Sequence, residues 1–402
     1  MYNIAQHYEN IYQYLKTIIT DPRVAYLHPF GATQPENLEI IRDDLNRTNL
    51  KRNGPLFIFY DQEPLNFVYN ESLFQYIKEN TQGPYILVST ERHSQEKERI
   101  CNHFNFAHLD YFFHIFAASD WYRGHQYIPN LIPPEKRNIQ KTYITFNRLT
   151  SGERAYRSLF INELYKNNLL HSGHVSYSKD CPDGGNFIDN LTQSITNQRV
   201  NHKLVDEAIN NINQLPDLRI DFTDHDYIPN QSMILSPIDQ LMESFVFVVT
   251  ETCYWQNKTH LTEKIFKPIV LRMPFLLLGC VNNLEYLRSY GFKTFNDFWD
   301  ESYDTMADPI LRMQSVTTIL TELNNLSKEK LQSILVEMEP ILEHNYQLFN
   351  NPNFVKKEWD HLTTSLKDIS CLYEYKPPYT VNLKLQQAIP TILQSPNYPD
   401  TL

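Results

Sequence analysis

Residues 244–279 read SFVFVVTETCYWQNKTHLTEKIFKPIVLRMPFLLLG, and this stretch decides the fold class. Residues 245–249 and 274–278 are short, continuous apolar runs of the kind that buried parallel strands require. A helix is predicted between them, so the stretch forms a βαβ unit. Glu251 follows the first strand and residues 262–264 open the helix, at the edge where open α/β sheets bind their ligands. The charged side chains are therefore predicted to converge on one site.

The residue types at this edge suit a sugar diphosphate. Lys264 and the amino-terminal end of a helix both attract a phosphate group. A carboxylate such as Glu263 accepts paired hydrogen bonds from the hydroxyls of a ribose or sugar ring. The same residues also fit a purely structural role, in which Thr262 and Glu263 begin the helix and Lys264 lies in solvent. Pro268, six residues after Thr262, is expected to kink or end the helix.

This segment resembles the donor-binding half of the α1,3-fucosyltransferase family and its viral and bacterial relatives. The family pattern is an apolar strand that ends in glutamate, a loop, Thr-Glu-Lys, and a second strand that runs from proline to glycine. In this chain the pattern spans residues 245–279. The likeness continues downstream through residues 284–304 and is found again upstream in residues 146–164. It covers roughly half of the chain.

The resemblance implies the roles of several residues. In such enzymes an arginine at the head of the upstream helix binds the diphosphate, and Arg157 fits this role by its spacing to Leu164, with Arg148 and Arg154 as alternatives. The implied reaction is inverting and needs no metal in the site. An acceptor hydroxyl attacks the anomeric carbon while a carboxylate takes its proton. Arg157 and Lys264 then stabilise the departing diphosphate.

Two carboxylates are candidates for the proton acceptor. Glu91 is preferred because it follows a predicted strand and because its distance to the aromatic run at Tyr111 is close to the spacing found in the family. Glu63 is second, since it also ends a strand and lies beside Asp61. Each of the two could instead be a helix cap or a surface carboxylate at the end of a strand.

Composition limits the classes of function. The chain has 402 residues, more than a single hydrophobic core usually fills, so two domains are expected. Only 10 residues are glycine, well below the average of about 7%, and neither a G-x-G-x-x-G nor a Walker loop is present. A dinucleotide oxidoreductase is therefore disfavoured, and phosphate must be held by side chains and helix ends.

Charge and cysteine usage predict a soluble cytoplasmic protein. The formal net charge of −11 argues against a surface that grips nucleic acid or an anionic membrane through its overall field. No secretory signal and no apolar run of membrane-spanning length is recognised. The five cysteines form no C-x-x-C pair, as expected for reduced thiols. A chain rich in asparagine and tyrosine and poor in glycine is of the sort that an AT-rich viral genome encodes.

The order of predicted elements indicates an α/β protein with two Rossmann-like domains, a GT-B-like arrangement with a central cleft and a helical C-terminal region. Strands are predicted at residues 55–63, 84–90 and 141–147, and a further apolar run covers 111–118. Helices are predicted at 153–168 and over much of 303–370. A proline-rich joint at 128–138 separates the halves. The predicted domains are an acceptor-side α/β domain at 1–138, a nucleotide-sugar-binding α/β domain at 139–350, and a C-terminal helix with an extended tail at 351–402.

Three alternatives stay open at this stage. Asp224-His225-Asp226 is a D-x-D triplet, by which a different glycosyltransferase class holds a divalent metal. The chain could also glycosylate modified bases of viral DNA, although its acidic balance makes a glycan the better acceptor. Finally, it could be a non-catalytic protein that binds a nucleotide or a glycan without turnover. No cofactor beyond the nucleotide-sugar is expected.

Overall fold

The computed structural model describes residues 55–123, 132–181, 184–216, 218–220, 235 and 237–374, together with the backbone of a strand at 25–27. The chain forms two compact units. The first comprises Met1–Ala117 with Pro352–Leu402, and the second comprises Ala118–Asn351. These units group the chain differently from the three domains expected above, whose boundaries stay a prediction. The predicted α/β class is confirmed, since both units contain a parallel sheet with helices.

The sheet of the first unit has four parallel strands, β1 (Ala25–Leu27), β2 (Leu56–Phe59), β3 (Tyr85–Ser89) and β4 (Ala107–Asp110), in the order β1-β2-β3-β4. The residues of β2 are all buried, which accounts for its unbroken apolar sequence. Helices α1 (Phe67–Asn80) and α2 (Gln95–Phe104) alternate with the strands. Their apolar side chains, among them Phe74 and Phe104, pack in one core with β2 and β3.

Two further helices complete this part of the chain. Helix α3 (Phe113–Arg123) occupies most of the apolar run at 111–118, and the neighbouring strand lies earlier, at β4. Helix α13 (Pro352–Glu374) returns to the first unit, where Glu358 accepts a hydrogen bond of 2.6 Å from the backbone N–H of Phe112. The ring of Trp359 packs edge-on against Phe116.

The second sheet also has four parallel strands, β5 (Lys141–Asn147), β6 (Gly173–Tyr177), β7 (Ser244–Thr250) and β8 (Phe275–Leu278). Their order is β6-β5-β7-β8. All seven residues of β7 are buried, as a central parallel strand requires. Thr250 pairs in register with Leu278, so the carboxyl ends of β7 and β8 lie side by side. The predicted βαβ unit at 244–279 is thus confirmed.

The helices of the second unit are α4 (Tyr156–Lys166), α5 (Phe187–Asn197), α6 (His202–Asn213), α7 (Ile238–Met242), α8 (Phe266–Val270), α9 (Asn283–Ser289), α10 (Pro309–Asn324), α11 (Lys328–Glu337) and α12 (Glu339–Asn350). Helices α10 to α13 confirm the predicted helical region at 303–370. None of the helices in the described ranges is long and apolar enough to cross a membrane.

The helix between β7 and β8 is shorter than the sequence suggests. A single 3-10 turn, Glu263–Ile265, leads into α8, which has only five residues. Pro268 is the third residue of α8, where its missing N–H has no partner to lose. This position explains why a proline is tolerated six residues after Thr262. It also means that the connection between β7 and β8 contains no long helix whose amino terminus faces the site.

Candidate functional site

The second sheet contains a topological switch point. The chain passes from β5 to β6 on one side and later returns to form β7 on the other side of β5. Because parallel crossovers are right-handed, the connections on the two sides of β5 run over opposite faces of the sheet. The carboxyl ends of β5 and β7 therefore border the crevice where open α/β sheets bind ligands. Arg148 follows β5 at this edge, and Glu251 follows β7.

Glu251 is fully buried at the end of β7 and binds the residue that begins the next turn. Its carboxylate accepts hydrogen bonds from the hydroxyl of Thr262 at 2.5 Å and from the Thr262 N–H at 3.2 Å. Burial raises the pKa of the Glu251 carboxyl, while Lys264 and the Thr262 hydrogen bonds act in the opposite direction. Glu251 thus ties the two ends of the long 251–262 loop together, and a side chain so enclosed holds the loop rather than meeting solvent.

Lys264 lies on the open side of this pair. Its ammonium group is 2.8 Å from the Glu263 carboxylate and 3.2 Å from the hydroxyls of both Thr252 and Thr262. The side chain of Lys264 is 29% exposed and that of Glu263 only 9%. The Thr262 hydroxyl also accepts from the Lys264 N–H at 3.4 Å, so Thr262 does cap the turn. Lys264, however, is held against the loop instead of extending into solvent.

Arg157 joins the loops that follow β5 and β7. Its guanidinium donates to the carbonyl of Leu149 at 2.9 Å, to that of Thr250 at 2.7 Å and to that of Glu251 at 3.2 Å. The side chain is 97% buried, since only 3% of its surface is exposed. Burial lowers the pKa of Arg157, and the nearby Arg154 guanidinium lowers it further. Three carbonyl partners make Arg157 a residue that positions the two loops.

The other two arginines predicted for this site are more accessible. Arg148 directly follows β5, and Arg154 belongs to the 3-10 turn Gly152–Ala155 that precedes α4. Both are half-buried, in contrast to Arg157. The structure therefore places all three at the carboxyl end of β5 and its following turn, with Arg148 and Arg154 open to solvent there.

A layer of aromatic side chains supports the loops, and sequence reasoning did not identify it. The Tyr156 hydroxyl donates to the Glu251 carbonyl at 2.6 Å and contacts that of Leu278 at 3.3 Å. Its ring stacks on Tyr254 with centroids 4.1 Å apart. The buried guanidinium of Arg312 in turn donates to the Tyr254 carbonyl at 2.7 Å. These residues come from three distant segments, so no local pattern in the sequence could have indicated their contact.

Gly279 is required by close packing behind Glu251. A Cβ atom at this position would come within 2.5 Å of the Asn283 amide and 3.5 Å of the Glu251 side chain. Asn283 is itself held by a pair of hydrogen bonds to the backbone of His260. The glycine that ends the second predicted strand therefore lets β8 approach the loop that carries the charged residues.

An open hollow of about 480 Å³ lies beside the turn that carries Arg154. Gly152, Gly184 and Gly185 line it and have φ angles of +55°, +113° and +74°, a backbone region that glycine adopts without strain. The side chain of Asn190 also lines it, is 94% buried, and has an amide N–H group without a partner among the described residues. Sequence reasoning missed the hollow because these glycines come from two separate loops.

In the first unit, Glu91 is completely buried. Its carboxylate accepts from the backbone N–H of Leu65 at 2.8 Å and from the hydroxyl of Ser94 at 2.5 Å, and Ser94 caps helix α2. The Lys97 ammonium donates to the Glu91 carbonyl at 2.9 Å. This carboxylate therefore braces the end of β3 against two neighbouring segments.

Glu63, the second predicted base, is exposed, four residues after the end of β2. The structure does not bring its side chain against Glu91. The assignments of Glu91 and Glu63 as the proton acceptor both stay predictions. The D-x-D triplet at 224–226 lies outside the described residues, so the metal-dependent alternative is not addressed by the structure.

Comparison with known proteins assigns no family. No protein-family model matches the chain, and no curated protein sequence matches it significantly.

Proposed function

We propose that the protein is an inverting, metal-independent glycosyltransferase that moves a sugar from a nucleotide diphosphate donor to a hydroxyl of a glycan. The observation that carries this proposal is the switch point of the second sheet, where Arg157 joins the loops after β5 and β7 and Lys264 lies on the β7 loop. Cations gathered at this edge of an open α/β sheet suit an anionic leaving group. The fucosyltransferase-like sequence pattern adds to this support.

Within the proposal, Lys264 binds the diphosphate directly. Its side chain is 29% exposed, and its ammonium group contacts the Glu263 carboxylate and the hydroxyls of Thr252 and Thr262. Arg148 and Arg154, which are half-buried at the same edge, supply further positive charge. Arg157 acts indirectly, because its N–H groups already hold three backbone carbonyls. Binding therefore depends on side chains, since the turn after Thr262 is too short to contribute a helix dipole.

Glu263 is suited to the ribose or sugar hydroxyls of the donor. The Glu263 side chain is 91% buried, and its carboxylate lies 2.8 Å from the Lys264 ammonium. Glu263 directly follows Thr262, which caps the turn. A carboxylate held in this way keeps a fixed orientation, which paired hydroxyl recognition requires. The hollow of about 480 Å³ beside Arg154 falls in the range of small-molecule sites and offers room for the remainder of a donor.

We also propose that the two sheets belong to two Rossmann-like domains. The second sheet supports this through its β6-β5-β7-β8 order, which has the reversal found in doubly wound folds. The first sheet runs β1-β2-β3-β4, with no reversal among its described strands. None of the five cysteines, all of which lie in the described ranges, forms a disulfide, which favours a reducing compartment such as the cytoplasm.

The exposed Glu63 is the better candidate for the proton acceptor in this proposal. A general base must come within hydrogen-bond distance of the hydroxyl it deprotonates. Glu91 has no exposed surface, and its carboxylate oxygens accept from Leu65 and Ser94. We therefore propose Glu63 before Glu91 as the proton acceptor, which reverses the preference that the sequence suggested.

The test is a thermal-shift panel of nucleotide-sugars and nucleoside diphosphates. A donor at a hundred times its dissociation constant should stabilise the fold by about 2.7 kcal/mol. Lys264→Gln should lose most of this shift. Lys330→Gln is the matched control, because Lys330 is exposed in the same unit and its side chain has no partner in the described part of the chain. Equal shifts for the two variants would contradict the proposed site.

Turnover separates an enzyme from a binding protein. A donor identified by the panel should be consumed when a suitable glycan is present, and Glu63→Gln should abolish this consumption while leaving the thermal shift unchanged. Donor binding without transfer or hydrolysis across a broad acceptor panel would instead favour the non-catalytic alternative. A panel in which no nucleotide stabilises the protein would refute the proposal as a whole.

A further inference from the structure

A second depression lies in the same unit, and neither Lys264 nor Glu263 lines it. It has a volume of about 650 Å³ and is open to solvent. Its walls come from the turn between α5 and α6, from the 251–262 loop and from the start of α10. The residues that matter for its chemistry are Arg199, Lys203, Glu207, Trp255, Asp308 and Gln314. The volume falls in the range of small-molecule sites.

Trp255 provides an apolar wall that is held in place. Its indole N–H donates to the Glu153 carbonyl at 3.0 Å, so the hydrogen-bonding capacity of the ring is already used inside the protein. The ring also packs edge-on against Tyr254, with centroids 5.5 Å apart, and against Tyr156 at 6.4 Å. The half-buried indole therefore meets the depression as a fixed apolar surface, to which the CH face of a sugar ring is complementary.

The two cations of the depression are not engaged by any residue that the structure describes. Arg199 and Lys203 are exposed, and within the described ranges neither side chain has a hydrogen bond or an ion pair. Arg199 also has a φ angle of +56°, a left-handed conformation that is strained for a residue with a Cβ atom. The turn between α5 and α6 keeps this arginine at the rim in spite of that cost.

The two carboxylates of the depression are already committed. Glu207 lies 3.0 Å from the Lys166 ammonium. Asp308 caps helix α10 and accepts from the N–H groups of Ile310 at 2.8 Å and Leu311 at 3.2 Å. The formal charges of the four lining side chains cancel, which disfavours a phosphate with two negative charges. Only the two positively charged side chains are available to bind a ligand, and with the two carboxylates nearby they favour a ligand that carries a single negative charge.

We propose that this depression binds a sugar residue that carries a carboxylate. The apolar face of the ring lies on Trp255, the carboxylate pairs with Arg199 and Lys203, and the Gln314 amide, which has no side-chain partner in the described structure, binds a hydroxyl. The site is separate from the proposed donor site and does not depend on catalysis. It would hold an acidic sugar whether or not the protein is a transferase.

Saturation-transfer NMR with three probes tests the proposal: methyl β-glucuronide, methyl β-glucoside and uridine diphosphate. The glucuronide should bind about tenfold or more tightly than the glucoside, as the loss of a hydrogen-bonded charge implies. The double variant Arg199→Gln with Lys203→Gln should weaken glucuronide binding by a similar factor. The matched control is Lys293→Gln with Lys330→Gln, which removes the same charge from exposed positions outside the depression and should leave binding unchanged.

Four results would overturn the proposal: equal binding of the two sugars, binding of none of the probes, an unaltered affinity in the Arg199 and Lys203 variant, or a preference of this depression for the diphosphate. The last of these is recognised when the same variant, and not Lys264→Gln, removes binding of the diphosphate. Both substituted side chains are exposed, so the variant is expected to fold normally. Unchanged thermal unfolding of the variant checks this directly.

Discussion

Replacing Thr262 with valine should break the contact that closes the 251–262 loop. Valine has nearly the same shape as threonine, so the change removes a hydroxyl without leaving a cavity. That hydroxyl donates to the buried Glu251 carboxylate at 2.5 Å and accepts from the Lys264 ammonium at 3.2 Å and from the Lys264 N–H at 3.4 Å. Thr262 is only 3% exposed, so water cannot readily replace it.

The expected loss of stability follows from these contacts. A hydrogen bond to a charged group contributes about 1.5–3 kcal/mol to stability. The whole of this contribution is lost when the bond is removed from a buried site, because water does not replace the missing partner. The cap on the following turn is long and weak, so it contributes at the lower end of the usual range, about 0.5–1 kcal/mol. Together, Thr262→Val should lower the free energy of unfolding by about 2–4 kcal/mol at neutral pH. Thr262→Ser, which keeps the hydroxyl and loses one methyl group, should cost about 1 kcal/mol.

Urea unfolding at pH 5 and pH 8 measures both variants. The hydroxyl stabilises the ionised form of Glu251, so its removal raises the pKa of that carboxyl further above its ordinary value. The variant is therefore destabilised most where Glu251 is ionised. The loss in free energy of unfolding caused by Thr262→Val should be larger at pH 8 than at pH 5. If valine and serine unfold at the same urea concentration at both pH values, the hydroxyl does not hold the loop and the reasoning fails.

Three further substitutions test the surrounding structure. Burial raises the pKa of the Glu251 carboxyl in the folded state, so the wild type loses stability as pH rises from 5 to 8. Glu251→Gln lacks this titrating group, so its urea midpoint should rise relative to that of the wild type over the same pH range. Glu91→Gln should cost about 1.5–3 kcal/mol by weakening bonds to Leu65 and Ser94, and unaltered stability on thermal unfolding would contradict the bracing role. Arg312→Met should cost about 2–6 kcal/mol, because it leaves the carbonyls of Tyr254 and Met306 without their donor at about 1–3 kcal/mol each, and a loss below 1 kcal/mol in urea would argue against this.

The sequence by itself determined the kinds of element near the proposed site. The apolar runs at 245–249 and 274–278 are strands because their side chains are buried on both faces of a parallel sheet, and that requirement is visible in each run alone. Short strands with polar residues, such as β4 (AHLD) and β6 (GHVSY), lack that signal and were not predicted. Thr262 at the start of a turn could likewise be predicted, since capping depends on neighbouring residues.

Only the tertiary structure decided which charged side chains are accessible at the proposed site. Arg148, Arg154 and Arg157 are alike in sequence terms, yet Arg157 is enclosed because carbonyls of two different loops surround it. Glu91 and Glu63 both follow strands, and only Glu91 is covered by Leu65 and the start of α2. The exposure of a side chain depends on partners far away along the chain, and local residue patterns contain no information about those partners. For this reason residues 244–279 predict the strands and the turn that border the proposed site, whereas they do not predict which of its side chains are accessible.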